Sequence, residues 1–141
     1  MDFKHLEKLD VKGKTADYTL YQIAGEPKLK LKPATEANKT YFNSVLKRSR
    51  RNVRAVQAGA INQSMLEDNR KEDRELYPKY VIVGWDGVKD SSGNSVEFSE
   101  ENCSDFIAAL PDWIFDEVRD FAGRSSNFFG ETIDIEEKAK N

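Results

Sequence analysis

Apolar positions along the chain fall into two registers, one of period two and one of period near 3.6. Residues 15–23 read TADYTLYQI, with Tyr18, Leu20 and Gln22 on one side and Thr19, Tyr21 and Ile23 on the other. This is the alternation of a strand rich in aromatic and branched side chains. Gly25, Glu26 and Pro27 form a turn signal, and residues 28–32 then read KLKLK. Leu29 and Leu31 alternate with lysines, as in a half-buried strand whose outer face lysine protects from edge pairing. The two segments predict a β-hairpin over 14–33. Before it, residues 1–14 are polar and predict irregular chain or a frayed helix.

Beyond Pro33 the period changes. Thr35 is placed to N-cap a helix with Glu36 in its first turn, where the helix dipole favours an acid. Phe42, Val45 and Leu46 recur at i, i+3 and i+4, and the helix is expected to reach about Asn52. Residues 53–64 carry Gly59 and little periodicity, which predicts a flexible connection or a poorly packed helix. From Met65 the chain is helical again, with many acid–base pairs three and four residues apart. Pro78 makes 78–85 ambiguous between a further helical segment and a strand over YVIVGW. The spacing of Leu76, Tyr80 and Val83 favours helix, so 35–86 is expected to be helical throughout. Val88 and Val96 flank the turn residues 90–94 and predict a short second hairpin over 88–98.

The clearest pattern follows. Ser99 precedes Glu100 and Glu101, and Cys103, Phe106, Ile107 and Leu110 make one apolar stripe. Pro111 opens a second helix carrying Ile114, Phe115, Val118, Phe121 and Ala122, with Gly123 as its stop. Residues 99–123 therefore predict two helices meeting at a corner. The expected fold is α+β and predominantly helical: one domain over 1–129 and a disordered, charged tail over 130–141.

Composition narrows the chemistry. Of 141 residues, 38% are hydrophobic and 33% charged, against about 25% charged in an ordinary soluble domain. No run approaches the roughly 18 apolar residues of a membrane-spanning helix, and the first residues lack the apolar core of a secretory signal. One cysteine, Cys103, and one histidine, His5, leave no disulfide framework and no ordinary thiolate or imidazole metal centre. An unpaired cysteine fits a reducing cytoplasm. No phosphate-binding glycine loop or metalloprotease motif occurs. Asp112, Asp116 and Glu117 read as helix-dipole partners and solvated surface rather than as an acid–base pair. No catalytic residue, no metal site and no cofactor are expected.

The net charge of −3 conceals a polarity. Residues 1–83 hold 17 Lys+Arg and 11 Asp+Glu, a net of +6, and residues 84–141 hold 5 and 14, a net of −9. Each charged face reads first as solvation. The separation also suits a homo-oligomer that joins unlike faces, or separate partners for the two halves. Lys47, Arg48, Arg50, Arg51 and Arg54 concentrate positive charge near one helix end. They fit a solvated face, a contact surface for a protein, or a phosphate-tracking surface, although no aromatics are interleaved for base stacking. Trp85 and Trp113 suit a core position, or a binding hot spot. Phe128 and Phe129 are adjacent, and only one is expected to face the interior.

Taken in order, PKLKLKPATEANKTYFNSVLKR and YVIVGWDGVKDSSGNSVEFSEENCSDFIAALPDWIFDEVRDFAGRSSNFF resemble the tail assembly chaperones of long-tailed bacteriophages and prophages. The likeness spans most of residues 28–129 and rests on the run as a whole. It implies a small, mainly helical, non-enzymatic protein of the bacterial host's cytoplasm that is absent from the finished virion. It further implies that the protein binds the tape measure protein, keeps that long helical chain soluble, and helps recruit tail tube subunits. Members of that family often have a frameshifted longer form, and residues 130–141 stand where such an extension begins. The expected partner-binding residues are Trp113, Phe115, Phe121, Phe128 and Phe129, with the basic stretch 47–54 as a second contact surface. The alternative is a small nucleic-acid-binding regulator that uses the same basic stretch.

Overall fold

A computed structural model describes residues 1–57 and 63–129, with backbone alone at 51, 52, 54–57 and 64. A short 3-10 helix, Lys4–Leu9, buries none of its own side chains. Strands β1 (Ala16–Thr19) and β2 (Lys28–Leu31) follow, then helices α1 (Lys39–Gln57) and α2 (Gln63–Tyr80), strand β3 (Ile82–Asp86), and helices α3 (Glu100–Ala109) and α4 (Asp112–Ala122). The three strands form one antiparallel sheet in the order β1-β2-β3. The mixed, mainly helical class expected from the pattern is the class observed.

The N-terminal hairpin stands as the alternation implied. Leu29 and Leu31 are buried while Lys28 and Lys30 are exposed. Its first strand is shorter than expected, ending at Thr19, but Leu20 remains in the core and its N–H donates to the Pro27 carbonyl at 2.8 Å. The second hairpin is minimal: one bridge pairs Lys89 with Ser95, and the Val96 N–H reaches the Val88 carbonyl. Its turn is closed by the Asp90 carboxylate, which accepts from the backbone N–H groups of Ser92 and Asn94. Gly93 supplies the positive φ, +84°, that such a tight turn requires.

Three expectations are corrected. First, the cap of α1 is Asn38, not Thr35. The Thr35 hydroxyl accepts from the Ala37 N–H two residues on, closing a local turn, while the Asn38 side-chain oxygen reaches the Tyr41 N–H. Second, α1 runs on to Gln57, five residues past the expected end; of the segment expected to be a loose connection, 58–62 lie outside the described residues. Third, residues 82–86 are strand, not helix. Pro78 is accommodated in the last turn of α2, which stops at Tyr80, and the chain then pairs with the open side of β2. Leu29 lies opposite Trp85 and Lys30 opposite Gly84. The unpaired donors and acceptors of β2 are satisfied this way, a demand that local periodicity does not contain. The tail expected over 130–141 lies outside the described residues.

The corner of α3 and α4 forms about Pro111. Ser99 caps α3, its hydroxyl accepting from the Asn102 N–H at 3.0 Å. Cys103, Ile107 and Leu110 are buried with Phe106 half-buried, so the stripe read from the sequence is the face that packs. From α4, Ile114, Phe115, Val118 and Ala122 enter the same core as Leu20, Leu29, Leu31, Tyr77 and Val81. Tyr77 stands edge-on between Tyr41 and Phe115, at ring separations of 5.7 and 5.4 Å. The core thus lies between the sheet, α2 and the α3–α4 corner.

Candidate partner-binding surface

The basic stretch of α1 divides on folding. Arg48 does not face solvent. Its guanidinium donates to the Asp73 carboxylate at 2.9 Å and to the Asn69 carbonyl. Asp73, only 2% exposed, also accepts from the Tyr41 hydroxyl at 2.9 Å and from Arg119 Nε at 2.8 Å. One carboxylate thereby ties α1, α2 and α4 together, with three donors to share the cost of taking its charge out of water. Lys47 and Arg50 remain exposed; the side chains of Arg51 and Arg54 lie outside the described residues. The five-cation surface is therefore corrected at its second member, which is a strut.

A second set of arginines stitches α2 to the corner. Arg70 makes a two-bond fork to Asp116 at 2.9 and 2.8 Å, and Arg119 adds a third bond to the same carboxylate. The hydrogen bond from Arg70, together with Arg119, holds the Asp116 carboxyl below its ordinary value despite some burial. Arg74 donates to the carbonyls of Ile107 and Leu110, which end α3, and to Asp112 at 2.7 Å. It thus satisfies the orphan carbonyls of that helix end, while its guanidinium lies over the Phe115 ring, 4.9 Å from the centroid. Asp112 and Asp116, read from the sequence as dipole partners and solvated surface, are both ion-paired across helices.

The expected aromatic grip separates into core and surface. Phe115 and Phe128 are buried, which corrects their placement on an accessible face. The corner alone could not cover these rings, but α2 and the sheet complete the enclosure. Phe121 is half-buried between Tyr18 and Phe128, at 4.9 and 6.0 Å. Phe129 is also half-buried and packs on the core beside Phe128. Both adjacent phenylalanines are therefore engaged, because a one-turn helix after Gly123 turns residues 126–129 back on the domain rather than extending them. Trp85 is packed edge-on to Phe98 and Phe106, and its indole N–H donates to the Val96 carbonyl. Trp113 alone of the five stands open, at 57% exposure.

Apolar surface not anticipated lies on the α1–α2 pair. Leu46 shares the helical spacing of Phe42 and Val45, yet it is exposed, as are Val53 and Leu66, the last at 60%. Leu46 and Val53 are seven residues apart and share a helix face. The contacts of Arg48 with residues 69–73 set an antiparallel register that carries Val53 to the level of Leu66. The sequence signal was present in the i, i+7 spacing, but which of two neighbouring stripes turns inward depends on where Arg48 is anchored. Among the described residues, no cluster of His, Cys, Asp or Glu is placed to hold a metal ion, and no helix is long and apolar enough to cross a membrane.

These features describe a helical surface with exposed apolar anchors among charges, in a chain whose paired arginines hold helices together. Neither a curated protein nor a solved structure matches this chain. A family model does match, that of the YdaY prophage protein, and it covers residues 36–141, from just before α1 to the chain end. That span includes every helix from α1 onward and leaves out the N-terminal hairpin. The chain belongs to the YdaY prophage protein family.

Proposed function

We propose that this prophage protein is a non-enzymatic tail assembly chaperone. It binds the tape measure protein, keeps that long helical chain soluble, and helps recruit tail tube subunits in the host cytoplasm. Membership of a prophage family supports the setting, and the ordered likeness of residues 28–129 to tail assembly chaperones supports the role. The observation that carries the reading is Trp113. It is an aromatic left open on α4, flanked by Asp112 and near the exposed Glu117, so it can enter an apolar stripe while the acids stay in water.

The test is co-expression with the tape measure protein of the same prophage, followed by affinity measurement with the purified full chain. Trp113→Ala should weaken the complex about 30-fold, the equivalent of a hot-spot loss of about 2 kcal/mol. The thermal midpoint should scarcely move, since the side chain supports no packing on its open side. Failure of the unaltered chain to form any complex would sink the proposal. The nucleic-acid alternative would gain from salt-dependent DNA or RNA binding that falls on neutralising Lys47 and Arg50. Nothing in the geometry favours it, since Arg48 is turned inward.

A further inference from the structure

Two surface cavities of nearly equal size carry opposite charge. The first, about 290 Å³, is walled by Lys12, Lys14, Lys32 and Lys39 with Pro33 and Ala37 beneath them, and no acid lines it. The second, about 280 Å³, is walled by Glu75, Glu100, Glu101 and Asp105, with Lys79 as its one cation. Asn38 belongs to the wall of the first, and its side-chain amide donates to the carbonyl of Tyr80 at 2.7 Å. Tyr80 directly follows Lys79 and lies two residues from Pro78, both on the wall of the second. The two walls therefore come close where Asn38, at the start of α1, meets Tyr80, at the end of α2.

Their charges are unspent. Among the described residues the ion pairs engage Arg48, Arg70, Arg74, Arg119 and Arg124 with their acids, and none includes any of these four lysines or four acids. The one polar bond made by a lysine head in the set is from Lys14 to the Lys8 carbonyl. Four like charges around one hollow repel, as do four acids around the other, and each set lacks what the other has. An adjacent pair of opposite patches is self-complementary under a two-fold rotation, because each copy then sets its acids on the other's lysines.

From this complementarity we infer that the end of the molecule around Asn38 and Tyr80 is a docking surface for a second copy of this chain. The result is an isologous dimer in which the lysine cavity of each protomer receives the Glu100–Asp105 edge of its partner. The inference is independent of the chaperone reading, since it concerns the chain with itself.

Sedimentation of the purified full chain tests it. The wild type should be dimeric at low ionic strength and dissociate as salt shortens the reach of these charges to a few ångströms, about 3 Å at 1 M. A triple variant Lys12→Glu, Lys32→Glu, Lys39→Glu should be monomeric, as should Glu100→Lys, Glu101→Lys, Asp105→Lys. Mixed in equal amounts, the two should recover a dimer, because one contact then pairs the unaltered acids with the unaltered lysines and the other pairs the new glutamates with the new lysines, so both are complementary. Where the second triple weakens α3, the neutral set Glu100→Gln, Glu101→Gln, Asp105→Asn takes its place, and the mixture should then recover one of the two contacts. A wild type that stays monomeric at low salt would overturn the inference. So would an assembly larger than two, a dimer unmoved by either variant, or a mixture that fails to re-form.

Discussion

At the scale of single residues, Asp73 concentrates the most consequence in one side chain. It accepts from Tyr41, Arg48 and Arg119 while almost wholly removed from water. Asp73→Ala would strand two guanidinium groups and a hydroxyl at a helix junction. A loss of about 3–5 kcal/mol is expected for breaking such a buried pair from one side, measured as a fall in the denaturant midpoint. Asp73→Asn keeps an acceptor and should cost less, and a cost equal to that of alanine would show that charge, not hydrogen bonding, is what the site uses. Cys103 is the opposite case, a group without chemistry. It is fully buried, and burial, with Glu100 adding its charge, pushes the thiol up to about 12. Thiol reagents at neutral pH should therefore modify it only as fast as the protein unfolds; rapid labelling of the native protein would contradict its place in the core.

At the scale of elements, the two ends of α3 show different solutions to the same shortage of partners. The start of α3 uses its own Ser99, while its far end borrows Arg74 from α2. Ser99→Ala should cost about 1 kcal/mol, detectable as a modest drop in thermal midpoint. Arg74→Met should cost more, because it removes the bonds to Ile107 and Leu110, the pair with Asp112 and the stacking on Phe115 together. If the two substitutions proved equal, the α2–α3 link would be dispensable. Strand β3 depends on a turn of its own. Gly87 holds φ at +80°, and a Cβ there would stand 3.5 Å from Pro27 Cα, so Gly87→Ala strains the passage from β3 to the second hairpin through its backbone rather than through a clash.

At the scale of the whole molecule, the shifted groups set the limits of stability in pH. Tyr41 is pushed up to about 12, first by burial and then by the charge and hydrogen bond of Asp73. Its proton is held more tightly in the fold than in the open chain. The stabilisation is therefore complete below the ordinary tyrosine value of 10.0 and is lost as pH rises from there toward 12. Cys103 acts in the same sense from its ordinary 9.0 upward. Asp116, held down first by the Arg70 hydrogen bond, works at the other extreme: its contribution is present above 3.8 and lost as pH falls below that. Denaturation midpoints should hold across neutral pH, decline above about pH 9 as Cys103 and then Tyr41 are forced to ionise, and decline again in acid. A midpoint that rose into the alkaline range would have the sign wrong.

Elements whose reasons are local were legible along the chain. The KLKLK alternation, the Ser99 cap, the stripe from Cys103 to Leu110 and the Pro111 junction each follow from neighbours within one or two turns, and the fold keeps them all. Of the candidate surface, Trp113 was legible as a residue able to bind, and its exposure was not. Residues 82–86 became strand because β2, more than fifty positions earlier, had an edge to fill. Arg48 left the basic surface because Asp73 lay opposite it on another helix. Phe115 and Phe128 left the aromatic surface because α2 and the sheet closed over a corner that could not cover them. Periodicity and capping act over a few residues and are written in sequence order. Pairing of a strand edge, burial of a charge and enclosure of a ring depend on groups distant in the chain, so only the tertiary structure could decide them.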